Sequence, residues 1–115
     1  MTMCGENALQ VAAIRTLNDQ LRQGGTGGRW FVSSGLLGLS PEQRNAVLRA
    51  VSEFSDFNER NDPYGEHDCA IVPVGDVNVL WKIDYCDTDF VFGSPDPGDA
   101  NQTFRVITVM LAEEY

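Results

Sequence analysis

The sequence predicts an α+β domain, with a small antiparallel sheet of three or four strands covered on one face by three helices in the order αβαββα. Three observations carry that prediction. Two stretches repeat apolar residues at helical spacing behind capping residues. One stretch alternates apolar and polar residues with period two, after a glycine turn. A chain of 115 residues with 43% apolar content suits one modest hydrophobic core, so a single domain over 1–115 is expected, with 1–6 flexible.

The first helix is expected over 7–23. Leu9, Ala13, Ile14, Leu17 and Leu21 form its apolar stripe, Asn7 is its candidate cap, and the glycine-rich run 24–28 stops it. That run follows a helix rather than a strand and lacks a closing Gly-Lys-Ser/Thr, so it reads as a turn and not as a phosphate loop. A short strand follows over 29–34, then a turn at 35–39. Ser40-Pro41-Glu42-Gln43 is a helix start with a capping box, leading into a helix to Phe54 with Val47, Leu48, Val51 and Phe54 buried. Residues 56–65 lack periodicity and form a loop.

Strands are expected over 68–74 and 77–85, joined by a type II′ turn at Gly75-Asp76. Pairing Val74 with Val77 puts Val72 opposite Val79, Ala70 opposite Trp81, Ile71 opposite Leu80 and Cys69 opposite Lys82. Continued outward, this register sets His67 opposite Asp84, at the roughly 4.5–5.5 Å Cβ separation of directly opposed residues. A short strand at 90–92, a proline-rich loop at 94–99 and a last helix over 101–114, with Phe104, Ile107, Thr108 and Leu111 as its stripe, complete the chain. The second face of the hairpin, with Ile71, Leu80 and Phe31, is left as a partner or homodimer surface.

The net charge of −9 is unevenly distributed. Residues 53–99 hold twelve acids against Arg60 and Lys82, whereas the remainder holds five acids and six bases. That sign opposes direct nucleic-acid binding, where phosphate contacts dominate. It suits a basic protein partner, a cation or imitation of a phosphate backbone. No apolar run approaches the roughly 18 residues of a membrane span. The first residues show no basic and apolar leader pattern, which leads to the expectation of a cytoplasmic protein. Cys4, Cys69 and Cys86 are widely spaced, without metal-ribbon spacing, and read as reduced thiols.

Asp62-Pro63-Tyr64-Gly65-Glu66-His67-Asp68 resembles the signature of a family of small bacterial proteins known as a domain of unknown function. Leu17-Asn18-Asp19-Gln20-Leu21-Arg22, Trp81-Lys82-Ile83-Asp84-Tyr85, Gly93-Ser94-Pro95-Asp96-Pro97 and Met110-Leu111-Ala112-Glu113-Glu114-Tyr115 match it too. The resemblance runs from about Ile14 onward and implies no activity. Cys86 departs from it where an aromatic residue is expected.

The candidate catalytic residues are His67, Asp84 and Cys69. Asp84 would orient the imidazole as a general base in a His-Asp hydrolase, and Lys82 opposite Cys69 would favour its thiolate. His67, Glu66, Asp68 and Asp84 are the candidate ligands for a divalent metal, although one histidine is few for a zinc site. The competing reading of the same cluster is a brace pinning the loop to the hairpin. Asp62, Tyr64, Glu66, Asp87, Asp89, Ile71 and Leu80 are the candidate interaction residues. The leading reading is a non-enzymatic interaction or inhibitory module whose acidic half binds a basic partner, with no cofactor. A small hydrolase centred on His67 and a homodimeric accessory protein are the alternatives.

Overall fold

In a computed structural model of the chain, the structure describes residues 2–115, with side chains from Ala8 onward. The first helix begins at Thr2 rather than at residue 7, which places Asn7 inside it rather than at its cap; the side chains before Ala8, the Cys4 thiol among them, lie outside the described ones. The elements are α1 (Thr2–Gly24), β1 (Gly28–Val32), α2 (Ser34–Leu37), α3 (Pro41–Glu53), β2 (Cys69–Val74), β3 (Val77–Cys86) and β4 (Phe104–Leu111), closed by a 3-10 turn at Ala112–Glu114. The class is α+β, with four strands in the spatial order β1-β4-β3-β2.

Local chemistry accounts for the two short helical starts. The Ser33 hydroxyl accepts from the Leu36 amide and caps α2, which replaces the turn expected at 35–39. At α3 the full capping box forms: Ser40 accepts from the Gln43 amide and the Gln43 side chain accepts from the Ser40 amide. Pro41 occupies the first turn, where a missing N–H costs nothing.

The hairpin register is the expected one from Cys69–Lys82 to Val74–Val77. Gly75 sits at φ 62, a conformation its side-chain-free backbone adopts without strain. β3 then pairs antiparallel with β4, and β4 pairs in parallel with β1. The sheet is therefore mixed rather than antiparallel. No tight turn ties β1 to its neighbour in the sheet, so its direction is set by the long crossover through α2, α3 and the hairpin.

The last element corrects the expected helix over 101–114. Residues 104–111 alternate with period two: Arg105, Ile107 and Val109 are buried, and Phe104, Val106, Thr108 and Met110 lie on the other side. Val106, Ile107, Thr108 and Val109 are a β-branched run that packs well on a pleated surface and loses rotamer freedom in a helix. The apolar spacing at 104, 107, 108 and 111 imitates a helical stripe while actually spanning both faces of a strand. The expected strand at 90–92 is instead an exposed loop, closed by a lone bridge between Cys86 and Gly93.

The core lies between the helices and one face of the sheet. Leu21, Leu36, Val47 and Val51 meet Ala70, Val79, Trp81, Ile83, Ile107 and Val109. The opposite sheet face carries Phe31, Thr108, Met110, Leu80, Lys82 and Ile71, all of them half-buried or exposed.

Candidate functional site

α1 carries polar residues on its buried side. Ile14, Asn18, Leu21 and Arg22 follow the i, i+4, i+7, i+8 spacing of one helical face, and all four are buried. Asn18 and Arg22 are therefore core positions occupied by polar groups, which demands hydrogen-bond partners.

Arg22 finds them at the end of α3. Its Nη1 donates to the carbonyls of Val51, Ser52 and Phe54 at 2.9, 3.2 and 2.7 Å. These are carbonyls of a helix C-terminus, where a cation is also favoured by the helix dipole. Nη2 reaches Asp19 at 3.2 Å. The guanidinium lies over the rings of Phe57 and Trp81, 5.3 and 5.2 Å from their centroids. Burial lowers the Arg22 pKa against the opposing pull of Asp19.

Asp19 also holds His67, with Nδ1 3.0 Å from Oδ1. The imidazole stacks on Phe57 with centroids 3.8 Å apart, and its Nε2 faces Asp62 Oδ2 at 3.7 Å. Asp62 is itself buried and accepts from the His67 amide. His67 adopts φ 55, after Gly65 at φ 72. That left-handed turn takes the chain out of the ladder two residues before β2, although the Asp68 carbonyl still accepts from the Ile83 amide.

The expected pairing of His67 with Asp84 is thereby corrected. A positive φ at His67 swings the ring toward α1, and Asp84 instead pairs with Lys82 at 3.3 Å on the opposite sheet face. The thiolate expected at Cys69 is corrected as well. Its register opposite Lys82 holds, but burial pushes the thiol pKa up, and Asp68 and Asp62 push it further.

Asn18 is the second hub. Its Nδ2 donates to the Glu66 carbonyl and to the Tyr85 hydroxyl, and its Oδ1 accepts from Arg105 Nε at 2.8 Å. Tyr85 donates to Glu66 Oε1 at 2.7 Å; burial and that acceptor hold its proton firmly. Arg105 lies over the Tyr85 ring and donates to the Pro97 carbonyl. Residues from 17–22, 62–68, 81–85 and 93–97 thus meet around one helical turn.

The four candidate metal ligands do not converge. Glu66 turns to Tyr85, Asp84 to Lys82 and His67 to Asp19. Among the described residues no group of three or more His, Cys, Asp or Glu side chains is arranged to hold a metal. Both imidazole nitrogens face carboxylates and one ring face is stacked, so the arrangement holds the 57–68 segment against α1 and α3. Of the candidate interaction residues, Tyr64, Asp89 and Ile71 are exposed, Glu66, Asp87 and Leu80 are half-buried, and Asp62 is enclosed.

Sequence reasoning passes over Asn18, Arg22, Tyr85 and Arg105. The signal for the first two is their position on the same helical face as Ile14. Arg105 signals itself only once 104–111 is read with period two.

A comparison with protein-family models matches residues 32–114 to a family described as "Protein of unknown function (DUF3768)". No curated protein and no solved structure matches the chain. No helix among the described residues is long and apolar enough to cross a membrane.

Proposed function

The chain belongs to the DUF3768 family, and we propose that it works as a non-enzymatic interaction module whose acidic half, residues 53–99, binds a basic protein partner. Inhibition of a nucleic-acid-binding protein by charge imitation, in the cytoplasm, is the form of that role the charge supports best. The observation that carries the reading is which charges stay at the surface. Of the twelve acids in 53–99 Asp62 alone is buried, and Arg60 and Lys82 are the bases that oppose them. Asp56, Glu59, Asp76, Asp84 and Asp89 are all exposed. The negative charge of that half therefore stays at the surface, and such a field steers cationic partners.

Fluorescence anisotropy with a labelled arginine-rich peptide, a matched acidic peptide and duplex DNA tests this. The expected result is binding of the basic peptide alone, weakening by roughly tenfold or more between 50 and 300 mM salt. Salt-insensitive binding, or none, refutes it.

A homodimer is the second reading, favoured by the uncovered sheet face. Met110, Leu80 and Ile71 lie in one row across three strands there, with Phe31 beside them, and Ile71 and Phe31 are 60% and 51% exposed. Light scattering at millimolar protein separates the two readings. The His67 hydrolase has the least support, because the imidazole is stacked on Phe57 with Nδ1 held by Asp19 and Nε2 facing the buried Asp62 rather than an open cleft.

A further inference from the structure

The loop 87–93 breaks the usual partition of apolar residues. Phe90, Val91 and Phe92 are consecutive and are 55%, 66% and 75% exposed. A sequence of this kind ordinarily enters a core, and here it stands at the rim of the sheet.

The loop is nevertheless fixed. The Asp87 carboxylate accepts from the amides of Asp89, Val91 and Phe92 at 3.2, 3.0 and 3.3 Å. The Asp87 amide donates to the Phe92 carbonyl, and the Ser94 amide donates to the Tyr85 carbonyl. Phe90 takes φ 61, unusual for an aromatic residue, and lays its ring on Phe104 with centroids 4.2 Å apart. One aromatic anchors the loop to the uncovered sheet face while the next two side chains point away from the protein's own core.

A rigid loop loses little conformational freedom when it docks, so its exposed apolar groups act as ready-made anchors. Asp89 is exposed beside the tip and Asp87 lies beneath it, so the tip itself carries negative charge, whereas at the base of the loop Asp84 is paired with Lys82 and Arg29 lies over Phe104. We propose that loop 87–93 is the anchor of the docking surface, inserting Val91 and Phe92 into an apolar groove of a partner protein whose rim is basic. This rests on the acidic-half reading above and adds the residues that supply the desolvated centre, with the carboxylates forming the polar surround.

The test places the photo-crosslinker p-benzoylphenylalanine at position 92 of the full chain in cells, with the same group at the exposed position 23 as control. The expected result is an adduct with a different protein from position 92 that position 23 does not give. The captured protein, once identified and purified, should bind the wild-type chain, and Phe92→Ser should weaken that binding roughly tenfold or more. The melting temperature should stay unchanged, since Phe92 contributes little to the core. Asp89→Asn should weaken binding less and flatten its salt dependence. An adduct with a second copy of this chain alone, no adduct above the control, or equal binding by Phe92→Ser overturns the proposal. The two readings fail separately: salt-sensitive binding indifferent to Phe92→Ser removes the anchor and keeps the acidic half, whereas salt-insensitive binding lost in Phe92→Ser removes the acidic half.

Discussion

At the residue scale the fold depends on a few polar side chains placed where apolar ones would ordinarily go. Arg22 is buried with one carboxylate partner, Asp19, and the same carboxylate holds His67. Removing it leaves the buried cation without a carboxylate partner and releases Nδ1 of the imidazole. Asp19→Ala is expected to cost about 2–4 kcal/mol in urea unfolding, somewhat below the roughly 3–5 kcal/mol of a fully buried pair because Asp19 is 28% exposed; a loss below about 0.5 kcal/mol would match an ordinary surface change and contradict the brace. Asp68 makes a different prediction. Burial first, then the charge of Glu66, raises its pKa above the usual carboxylate value of 3.8. The folded state therefore holds that proton more tightly than the unfolded chain does. Its contribution to stability is full below the unfolded pKa and is lost as pH rises through the raised folded value. Asp68→Asn is expected to flatten the stability–pH curve above pH 3.8 and to gain on wild type toward neutrality. Equal losses at pH 4 and pH 7 would refute this.

At the element scale, legibility followed how local the determinant was. α3 could be read because Ser40, Pro41 and Gln43 specify its start within four residues. The hairpin could be read because Gly75 fixes the turn and the alternation fixes the register. β4 was misread because its apolar spacing fits both periods, and the deciding fact is a neighbour far away in the chain. His67 was misplaced because one left-handed residue ends the ladder, and nothing adjacent announces it. The partners Asp19 and Arg105 are brought to the site by the sheet and α1, so they were invisible to local reading. β1 supplies the test at this scale. A Cβ on Gly28 would run into the backbone of Arg105, which cannot move without breaking the β1–β4 pairing. Gly28→Ala is expected to destabilise by roughly 1–3 kcal/mol in thermal unfolding, whereas Gly24→Ala meets open space. Equal effects would argue against the close approach of these strands.

At the scale of the whole molecule, charge sets the behaviour. With −9 overall and two bases withdrawn into the interior, the folded surface repels itself. Raising salt from 10 to 200 mM is expected to raise the melting temperature by screening that repulsion, and a fall would indicate that attractive surface pairs dominate. The parallel pairing of Gly28–Val32 with Arg105–Val109 has a consequence in time. β1 has one strand neighbour, and that neighbour is β4, the last strand among the described residues. During synthesis, Trp30 and Phe31 wait unpaired until residues 104–109 have cleared the ribosome. The long loop closure this requires slows folding, and it leaves the emerging chain with an exposed aromatic segment until β4 has been made.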